Sequence, residues 1–383
     1  MTIALIREQE VFAIKETTAG TLQAPTAGSF IIAAGVAKVN QPESYTDSAE
    51  IINSRDVIDR FRDRTPPATW SIPLYLRPSG SAGTAPQEAA LLECLMGTET
   101  VSGGTSVTYS QALTKSTFSM WLKHDHTVFN CRGCTVDQAT LALASKDGAR
   151  LDMSGQGMQM GWAGTDNVNG TVSISATSVV VDDAKKYTVG ALIEFVESGV
   201  VKNNSDSGYE VTAVNVATNT LTISPGAEEE IDDDSVIRGW LPTGTEVGAP
   251  VTAREGYVQI ASSTVVVNKV DLTINDPAKF LDDEMTATGY VESKVEQTRD
   301  ISGNISVYFD EDDLSYFYDG RQNTSVDMDI IIGSTAGSII TINLPYTSLI
   351  MPEEAESDPT LAISMPFKAL GSSGEDSMSI VFT

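Results

Sequence analysis

The chain has little cysteine, little histidine and few basic residues. Its 383 residues contain three cysteines, Cys94, Cys131 and Cys134, and two histidines. An odd and sparse cysteine count argues against a disulfide scaffold. Only 24 Lys and Arg stand against 52 Asp and Glu, so the formal net charge is -28. A chain this acidic repels nucleic acid and anionic membranes, which excludes a protein that grips DNA in a basic groove but not one that surrounds DNA without binding it.

Long hydrophobic runs are also lacking. The opening stretch "MTIALIREQEVFAIKETTAGT" is interrupted by Arg7, Glu8 and Glu10. It therefore contains no secretory apolar region, and no stretch approaches the ~18 apolar residues of a membrane span. We expect a protein that is made and folded in a cytoplasm and has no membrane partner. A hydrophobic content of 41% is still enough for two or three domains with real cores.

Alternating apolar side chains predict a mainly β protein. The alternation is present in "TWSIPLYL", "TFSMWLK" and "TLALASKDGARLDM", where Asp147-Gly148 marks a hairpin turn. It returns near the end in "SIITINLPY" and "TLAISMPFKAL". Such segments are typical of half-buried strands in packed antiparallel sheets.

Two short helices are predicted. The first lies in "TAPQEAALLECLMG", which Gly97 ends. The second follows "VYFDEDD", where Asp310 is the expected cap and Leu314, Phe317 and Tyr318 form the expected inward stripe. The acids before this helix lack the central glycine of a calcium loop, which favours capping over metal binding.

The order of these elements predicts a duplication. Strand, helix, hairpin and strand follow one another in residues 1–164 and again in 251–383. We interpret these as two β units of sandwich or barrel type, each with one flanking helix. Residues 165–250 between them are rich in Val, Thr, Asn and Asp, and predict a small inserted β-barrel.

Four residues of zinc-ligand type lie close together in "HDHTVFNCRGC". They are His124, His126, Cys131 and Cys134. Gly133 bends the chain there, and Cys134 begins a strand in which small apolar residues are expected. A zinc site, a disulfide and unbonded structural residues are the three interpretations, of which the last is favoured.

Catalytic patterns are not found. The sequence has no G-x-S-x-G elbow and no phosphate-binding glycine loop. Paired carboxylates of a glycoside-cleaving enzyme are a minor alternative. We therefore predict no enzyme, no catalytic residue and no cofactor.

An arginine-rich segment, "SRDVIDRFRDRTPP", is the best candidate for a protein contact. Its arginines alternate with aspartates and are Arg55, Arg60, Arg62 and Arg64. The segment is either a solvated, self-paired surface arm or an arm that forms salt bridges with a neighbouring subunit. The nearly balanced charge argues against nucleic acid.

Residues 254–383 resemble the tail tube proteins of long-tailed, siphovirus-like bacteriophages. The resemblance is carried by "VVVNKVDLTIND", by "GYVESKVEQTRDISGNISVYFDEDDLSYFYDG" and by the closing "TLAISMPFKAL". The positions that match the family pattern are Arg299, Gly303, Phe309, Asp310, Phe367 and Ala369. The N-terminal "IKETTAGTLQAP" and "GCTVDQATLALASKDGARLDMSGQGM" are also similar, so the likeness covers about three quarters of the chain and leaves out residues 165–250.

The resemblance implies a virion protein whose subunits form stacked rings around a hollow tube through which the DNA genome passes. It implies a tape measure protein and tail terminator or distal tail proteins as partners. A negative lumen would keep the DNA phosphates off the wall. Two tube-like units per chain predict rings of three chains, with six chains as the alternative, and an insertion on the exterior. Arg299 joins the four arm arginines as a candidate for subunit contact.

Two other functions stay open at this point. One is a different tail ring or baseplate component of the same fold. The other is a β-rich surface adhesin whose acids bind calcium.

Overall fold

A computed structural model describes residues 6–51, 53–144, 147–202, 207–309, 314–357 and 360–383. Within these ranges it contains thirty-one strands and two α-helices. The prediction of a mainly β protein is confirmed. No helix in this described part combines the length and the apolar character needed to cross a membrane.

The strands and helices fall into three successive parts of the chain. The first part forms β1 (Gln9–Lys15), β2 (Phe30–Ile31), β3 (Lys38–Asn40), β4 (Tyr45–Asp47), β5 (Arg60–Arg62), β6 (Ala68–Tyr75), α1 (Ala89–Met96), β7 (Gly97–Ser102), β8 (Ser106–Gln111), β9 (Phe118–His124), β10 (Thr127–Cys134), β11 (Gln138–Ala144), β12 (Arg150–Gly157) and β13 (Gln159–Ala163). The middle part forms β14 (Thr165–Asn167), β15 (Ser178–Val180), β16 (Leu192–Glu197), β17 (Val200–Val201), β18 (Tyr209–Asn215), β19 (Thr220–Ser224) and β20 (Val236–Gly239). The last part forms β21 (Tyr257–Ile260), β22 (Ser263–Val265), β23 (Val267–Asn275), β24 (Ala278–Phe280), β25 (Lys294–Glu296), β26 (Asp300–Tyr308), α2 (Leu314–Gln322), β27 (Ser325–Ile332), β28 (Ile340–Leu349), β29 (Glu353–Ser357), β30 (Thr360–Ala369) and β31 (Ser379–Phe382).

One long antiparallel sheet runs through the first and last parts of the chain. Its strands follow the order β3-β6-β12-β11-β23-β26-β30, and β29 continues it beyond β30. We call these eight strands the wall sheet. One face is apolar, as in β6, where Trp70, Ile72 and Leu74 are buried and the residues between them are not. The alternation seen in the sequence therefore gives a sheet with one covered face and one open face.

A second layer covers the apolar face and makes the molecule a β-sandwich. It contains the five-stranded sheet β13-β10-β9-β1-β2 and the ladder β21-β27-β28-β31. Trp70 of the wall sheet meets Phe118 of the second layer edge to face, with ring centroids 5.1 Å apart. Burial of each such large side chain stabilises the fold by about 1.5–3 kcal/mol. The core lies between the two layers.

The same pairing pattern occurs twice in the chain. In the first copy β9 pairs with β1 and β10, β13 pairs with β10, and β12 lies between β6 and β11. In the second copy β27 pairs with β21 and β28, β31 pairs with β28, and β30 lies between β26 and β29. A two-stranded hairpin, β4–β5 or β24–β25, and one helix, α1 or α2, complete each copy.

Short sequence matches accompany this pattern. Asn40-Gln41-Pro42 begins at the last residue of β3, and Asn275-Asp276-Pro277 begins at the last residue of the corresponding β23. An Arg-Glu pair lies just before β1, at residues 7 and 8, and just before β21, at residues 254 and 255. Both copies therefore align residue by residue at these points.

Residues 165–250 form a seven-stranded sheet with its own core. Its strand order is β14-β20-β16-β18-β19-β15, with β17 on β16. The end strands β14 and β15 are three residues long and are linked only by a single bridge between Val168 and Val181. The predicted barrel is therefore wrong in one respect: strands this short provide no continuous ladder to close it.

The two helices differ in their packing. In α1 the side chains of Leu91, Leu92 and Leu95 are buried, and Gly97 ends the helix with a φ of 111°, as expected. In α2 Phe317 packs partly against the core, but Tyr318 is 64% exposed, so the predicted inward stripe is wrong at Tyr318. The predicted cap, Asp310, lies outside the described residues, and so does the side chain of Leu314.

Candidate assembly surfaces

The junction between the two copies is a joint of two strand edges. Strand β11 of the first copy pairs with β23 of the second over seven residues, from Gln138 opposite Asn275 to Ala144 opposite Lys269. On the covered face, buried Leu141 lies opposite buried Leu272. The chain thus contains a complete edge-to-edge joint between two copies of one unit.

The two ends of the wall sheet are open edges. Strand β3 pairs only with β6, and β29 pairs only with β30, among the residues that the structure describes. By position in the repeated pattern, β29 corresponds to β11 and β3 corresponds to β23. The β29 end therefore presents the edge that β11 presents in the internal joint. The β3 end presents the edge that β23 presents there, so the two ends are complementary. Such unpaired edges are templates for pairing with another chain.

The open face of the wall sheet carries balanced charge. Among the described strand residues, its charged side chains are the four cations Lys38, Arg150, Lys269 and Lys368 and the four anions Asp152, Asp271, Asp300 and Glu353. The other positions of this face are Ser, Thr, Asn, Gln, Ala, Pro or Tyr. The acidity of the chain is therefore not concentrated here.

Three of the four cations are paired within the chain. Arg150 lies 2.9 Å from Asp152, Lys269 lies 2.5 Å from Asp271, and Lys368 lies 2.5 Å from Asp300. The hydrogen bond to Asp152 raises the pKa of the Arg150 guanidinium. Most of the charge on this face is thus neutralised locally.

The arginine-rich segment contributes β5 to the β4–β5 hairpin, and we call residues 43–64 the arm. Arg62 donates two hydrogen bonds to Glu43, which raise its pKa, and the Arg60 guanidinium stacks 4.7 Å above the Tyr45 ring. Arg64 turns inward and donates to the carbonyl oxygen of Tyr290. Arg55 lies exposed in the loop between the two strands.

Apolar side chains on the arm were missed by reasoning from charge. Five large ones are exposed: Tyr45, Ile51, Val57, Ile58 and Phe61. Ile51 is 95% exposed. The signal was present in the sequence, because Val57, Ile58 and Phe61 lie among the charges of "IINSRDVIDRFRD". A cluster of this kind on a protruding hairpin is typical of a protein contact.

Arg299 lies inside the chain, beside the internal joint. Its Nε donates to Asp276 over 2.9 Å, one terminal nitrogen donates to Glu375 over 2.7 Å, and the other donates to the carbonyl oxygen of Ala112. Burial opposes its charge, but the hydrogen bonds of Glu375 and Asp276 raise the pKa of Arg299. Arg299 thus holds the first copy to the second.

Lys115 completes this buried network. Its ammonium lies 3.5 Å from the Asp276 carboxylate and donates to the carbonyl oxygen of Val136 over 2.9 Å. Burial lowers the pKa of Lys115, against the attraction of Asp276. Asp276 therefore serves two cations, one from each copy of the pattern.

The four candidate zinc ligands are not brought together. The His124 ring bonds to the Gln9 side chain over 3.1 Å, whereas the His126 ring lies 3.3 Å from Arg238. Cys131 and Cys134 are free thiols in the core, where burial raises the pKa of Cys134. The described residues contain no group of three or more side chains placed to hold a metal ion.

The family-pattern residues take different places. Gly303 pairs with Phe367, and Ala369 pairs with Ile301 at the same end of the two strands. Phe309 is 37% exposed and follows the end of β26. Asp310 lies outside the described residues.

Comparison with known proteins places these surfaces in context. A family model described as "phage tail tube protein" matches residues 7–369, which include the insertion and both copies of the pattern except β31. No curated protein matches the chain.

Proposed function

The chain belongs to the phage tail tube proteins and is a structural component of the virion tail, and we propose that its copies join edge to edge into stacked rings around a DNA conduit. The observation that carries this proposal is the internal β11–β23 joint together with the matching open edges β29 and β3. Each repetition of that joint adds one chain to a ring.

The duplication supports a proposal for the number of chains in a ring. If the family ring has six units and each chain supplies two of them, a ring contains three chains. The eight-stranded wall sheet would then continue from chain to chain, with β29 of one copy beside β3 of the next. A closed ring leaves no wall edge unpaired, which satisfies the backbone groups that are open in the single chain.

The two faces of the sandwich support a proposal for the inside and the outside of the tube. Phe12, Trp121 and Val128 lie on the side of the second layer that faces away from the wall sheet, and all three belong to the core of the insertion. The insertion therefore sits on the opposite side from the open face of the wall sheet. We propose that the open face lines the lumen and that the insertion decorates the exterior.

One insertion per chain follows from a difference between the two copies. The second copy has Gln259 and Asp329 at the positions of Phe12 and Trp121. Polar residues at these positions leave no apolar surface on the second copy against which a second insertion could pack. A three-chain ring would accordingly carry three insertions.

The charge of the proposed lumen differs from the expectation of a negative wall. The open face of the wall strands carries four cations and four anions. Much of the excess acid lies in residues 165–250, where 14 acids stand against 4 basic residues. DNA would slide along a polar surface without net charge, on which three of the four cations are already paired with acids of the same chain.

Further contacts complete the tube. The arm, with its exposed apolar side chains, would contact a neighbouring subunit. The tape measure protein inside the lumen, and terminator or distal tail proteins at the ends, would be the other partners. Assembly would take place in the host cytoplasm.

Electron cryo-microscopy of concentrated purified protein tests the proposal. We expect tubes of uniform width, three chains per ring and a wall sheet that is continuous across chains. A chain that stays monomeric at every concentration would contradict it. Single rings that never stack would instead indicate another tail ring or baseplate component, and sixfold order at residue level would replace the three-chain ring with six chains.

A further inference from the structure

Two charges on the open face of the wall sheet are left without a partner, one at each open edge. Lys38 lies in β3 and Glu353 lies in β29, and both are exposed. Within the described ranges neither forms an ion pair, whereas the other three cations of this face each do. The unpaired cation and the unpaired anion thus lie at opposite ends of one sheet.

The internal joint shows where Lys38 would lie in a joint between chains. Asn40 of β3 corresponds to Asn275 of β23, because both precede an x-Pro pair and each pairs with the first residues of the next wall strand. Lys38 therefore corresponds to Thr273. In the internal joint Thr273 lies opposite Thr140 of β11.

The same alignment places Glu353 two residues away on the same face. Trp70 pairs with Gly155 in the first copy and Ile301 pairs with Ala369 in the second, so Arg150 corresponds to Ser364. Arg150 pairs with Ala142, and Ser364 pairs with Glu353. Glu353 therefore takes the position of Ala142, next but one to Thr140.

Lys38 and Glu353 of adjacent copies would thus be diagonal neighbours across the joint. Diagonal neighbours on one face of an antiparallel pair lie about 7–8 Å apart at their backbones, which long side chains bridge. The chain already contains one ion pair of this kind. Lys368 lies opposite Ser302, yet its ammonium lies 2.5 Å from Asp300, two residues along the strand.

We infer that Lys38 of one copy and Glu353 of the next form an ion pair that fixes the joint between chains. The inference rests on the proposed function. The pair neutralises the last two unpaired charges of the open face among the described strand residues, so this face becomes fully paired only in the closed ring. It also gives the joint a direction, because two β3 edges brought together would place Lys38 against Lys38.

A charge-swap experiment tests the pair. The variants are Lys38→Glu, Glu353→Lys and the double variant with both changes, and assembly is followed by light scattering and microscopy. Each single change places like charges across every joint, and we expect the protein concentration needed for assembly to rise on the order of five-fold. The double variant restores opposite charges and should return to the wild-type value.

Lys185→Glu is the matched control. Lys185 is an exposed lysine of the insertion. The control therefore changes the net charge by the same amount as Lys38→Glu, but at a site away from the wall sheet. It should leave assembly unchanged. Equal unfolding midpoints of the monomeric variants would show that each still folds, and a salt concentration of about 1 M should reduce the effect of the single changes by screening.

The outcomes separate the two proposals. Wild-type protein that never assembles overturns the proposed function and the joint with it. Wild-type tubes combined with single variants that assemble equally well overturn the ion pair alone. A double variant that stays as impaired as the single ones also overturns the pair.

Discussion

Gly303 and Phe367 face each other across two central strands of the wall sheet, and the Phe367 ring occupies the space that a side chain at Gly303 would need. A Cβ added at Gly303 would lie 2.4 Å from Cζ of Phe367 and 2.4 Å from the carbonyl oxygen of Asp271. Phe367 itself is buried. Glycine at this position therefore serves close packing and not a turn.

Gly303→Ala should destabilise the protein by about 1–3 kcal/mol, because the added methyl group overpacks the core and pushes on the backbone of β23. Urea unfolding of the variant and the wild type measures this difference. Gly28→Ala is the control, since nothing lies within 4 Å of a Cβ there. Similar losses at both positions would contradict the packing argument.

Leu272→Ala should weaken the internal joint. Leu272 is fully buried opposite Leu141, so truncation removes apolar contact and leaves a cavity, at a cost of about 2–5 kcal/mol. The measurement is the free energy of unfolding by denaturant. Val266→Ala is the control, because Val266 is 73% exposed just before the same strand, and it should cost less than about 0.5 kcal/mol.

Arg299→Ala should be more damaging than the loss of a surface ion pair. Removal of the guanidinium takes one cation from the buried Asp276 carboxylate, and we expect a loss of about 3 kcal/mol in unfolding free energy. Arg150→Ala removes an exposed ion pair of the open face and should cost less than about 1 kcal/mol. If Arg299→Ala and Arg150→Ala lowered the stability by the same amount in thermal and chemical unfolding, Arg299 would not be part of a structural network.

The buried carboxyl group of Glu88 should make stability fall as pH rises. Burial raises the pKa of Glu88 from 4.5 to about 7 in the folded chain. Between these two values the folded state binds more protons than the unfolded state, so unfolding free energy decreases by up to about 3 kcal/mol from pH 4.5 to pH 7. Denaturant unfolding at several pH values measures this slope.

Glu88→Gln is the reference for that measurement. An amide keeps an acceptor for the backbone N–H of Arg77, which donates to Glu88 Oε1, but it does not titrate. The difference between wild type and variant should therefore shrink near pH ~5 and grow towards pH ~8. A difference that stays constant over this range would show that Glu88 does not titrate there.

Polar substitution of the arm should separate assembly from folding. Ile58 and Phe61 are 44% and 54% exposed, so Ile58→Ser with Phe61→Ser should change the free energy of unfolding by less than about 0.5 kcal/mol. If the arm contacts a neighbouring subunit, the same variant should lose long tubes in electron micrographs. Val216→Ser, at an exposed site of the insertion, should leave the tubes intact.

Local patterns in the sequence predicted the strands well. The strict alternation in β6 and β30 reflects one covered and one open face, and this property is visible in a few consecutive residues. The order of strand and helix also pointed to the repeated pattern. The Asn-x-Pro and Arg-Glu matches between the two copies are a second, independent signal of the repeat.

Long-range pairing was beyond such patterns. Which strands become edges depends on partners far away in the chain, as in the pairing of β11 with β23, so Lys38 and Glu353 could not be recognised as end residues. Asp300 and Lys368 are also distant in sequence, and their ion pair follows only from the order of the wall strands. The exposure of Tyr318 likewise depends on which distant strands pack against α2, and this is not visible in the local sequence.

Phe12, Trp121 and Val128 attach residues 165–250 firmly to the sandwich. Because these three side chains of the second layer are buried in the core of residues 165–250, no tether separates that body from the sandwich. A mechanical load applied to it from outside would pass directly into β1, β9 and β10. If residues 165–250 lie on the outside of the tube, as proposed, a ligand that binds them from outside would therefore pull directly on the tube wall.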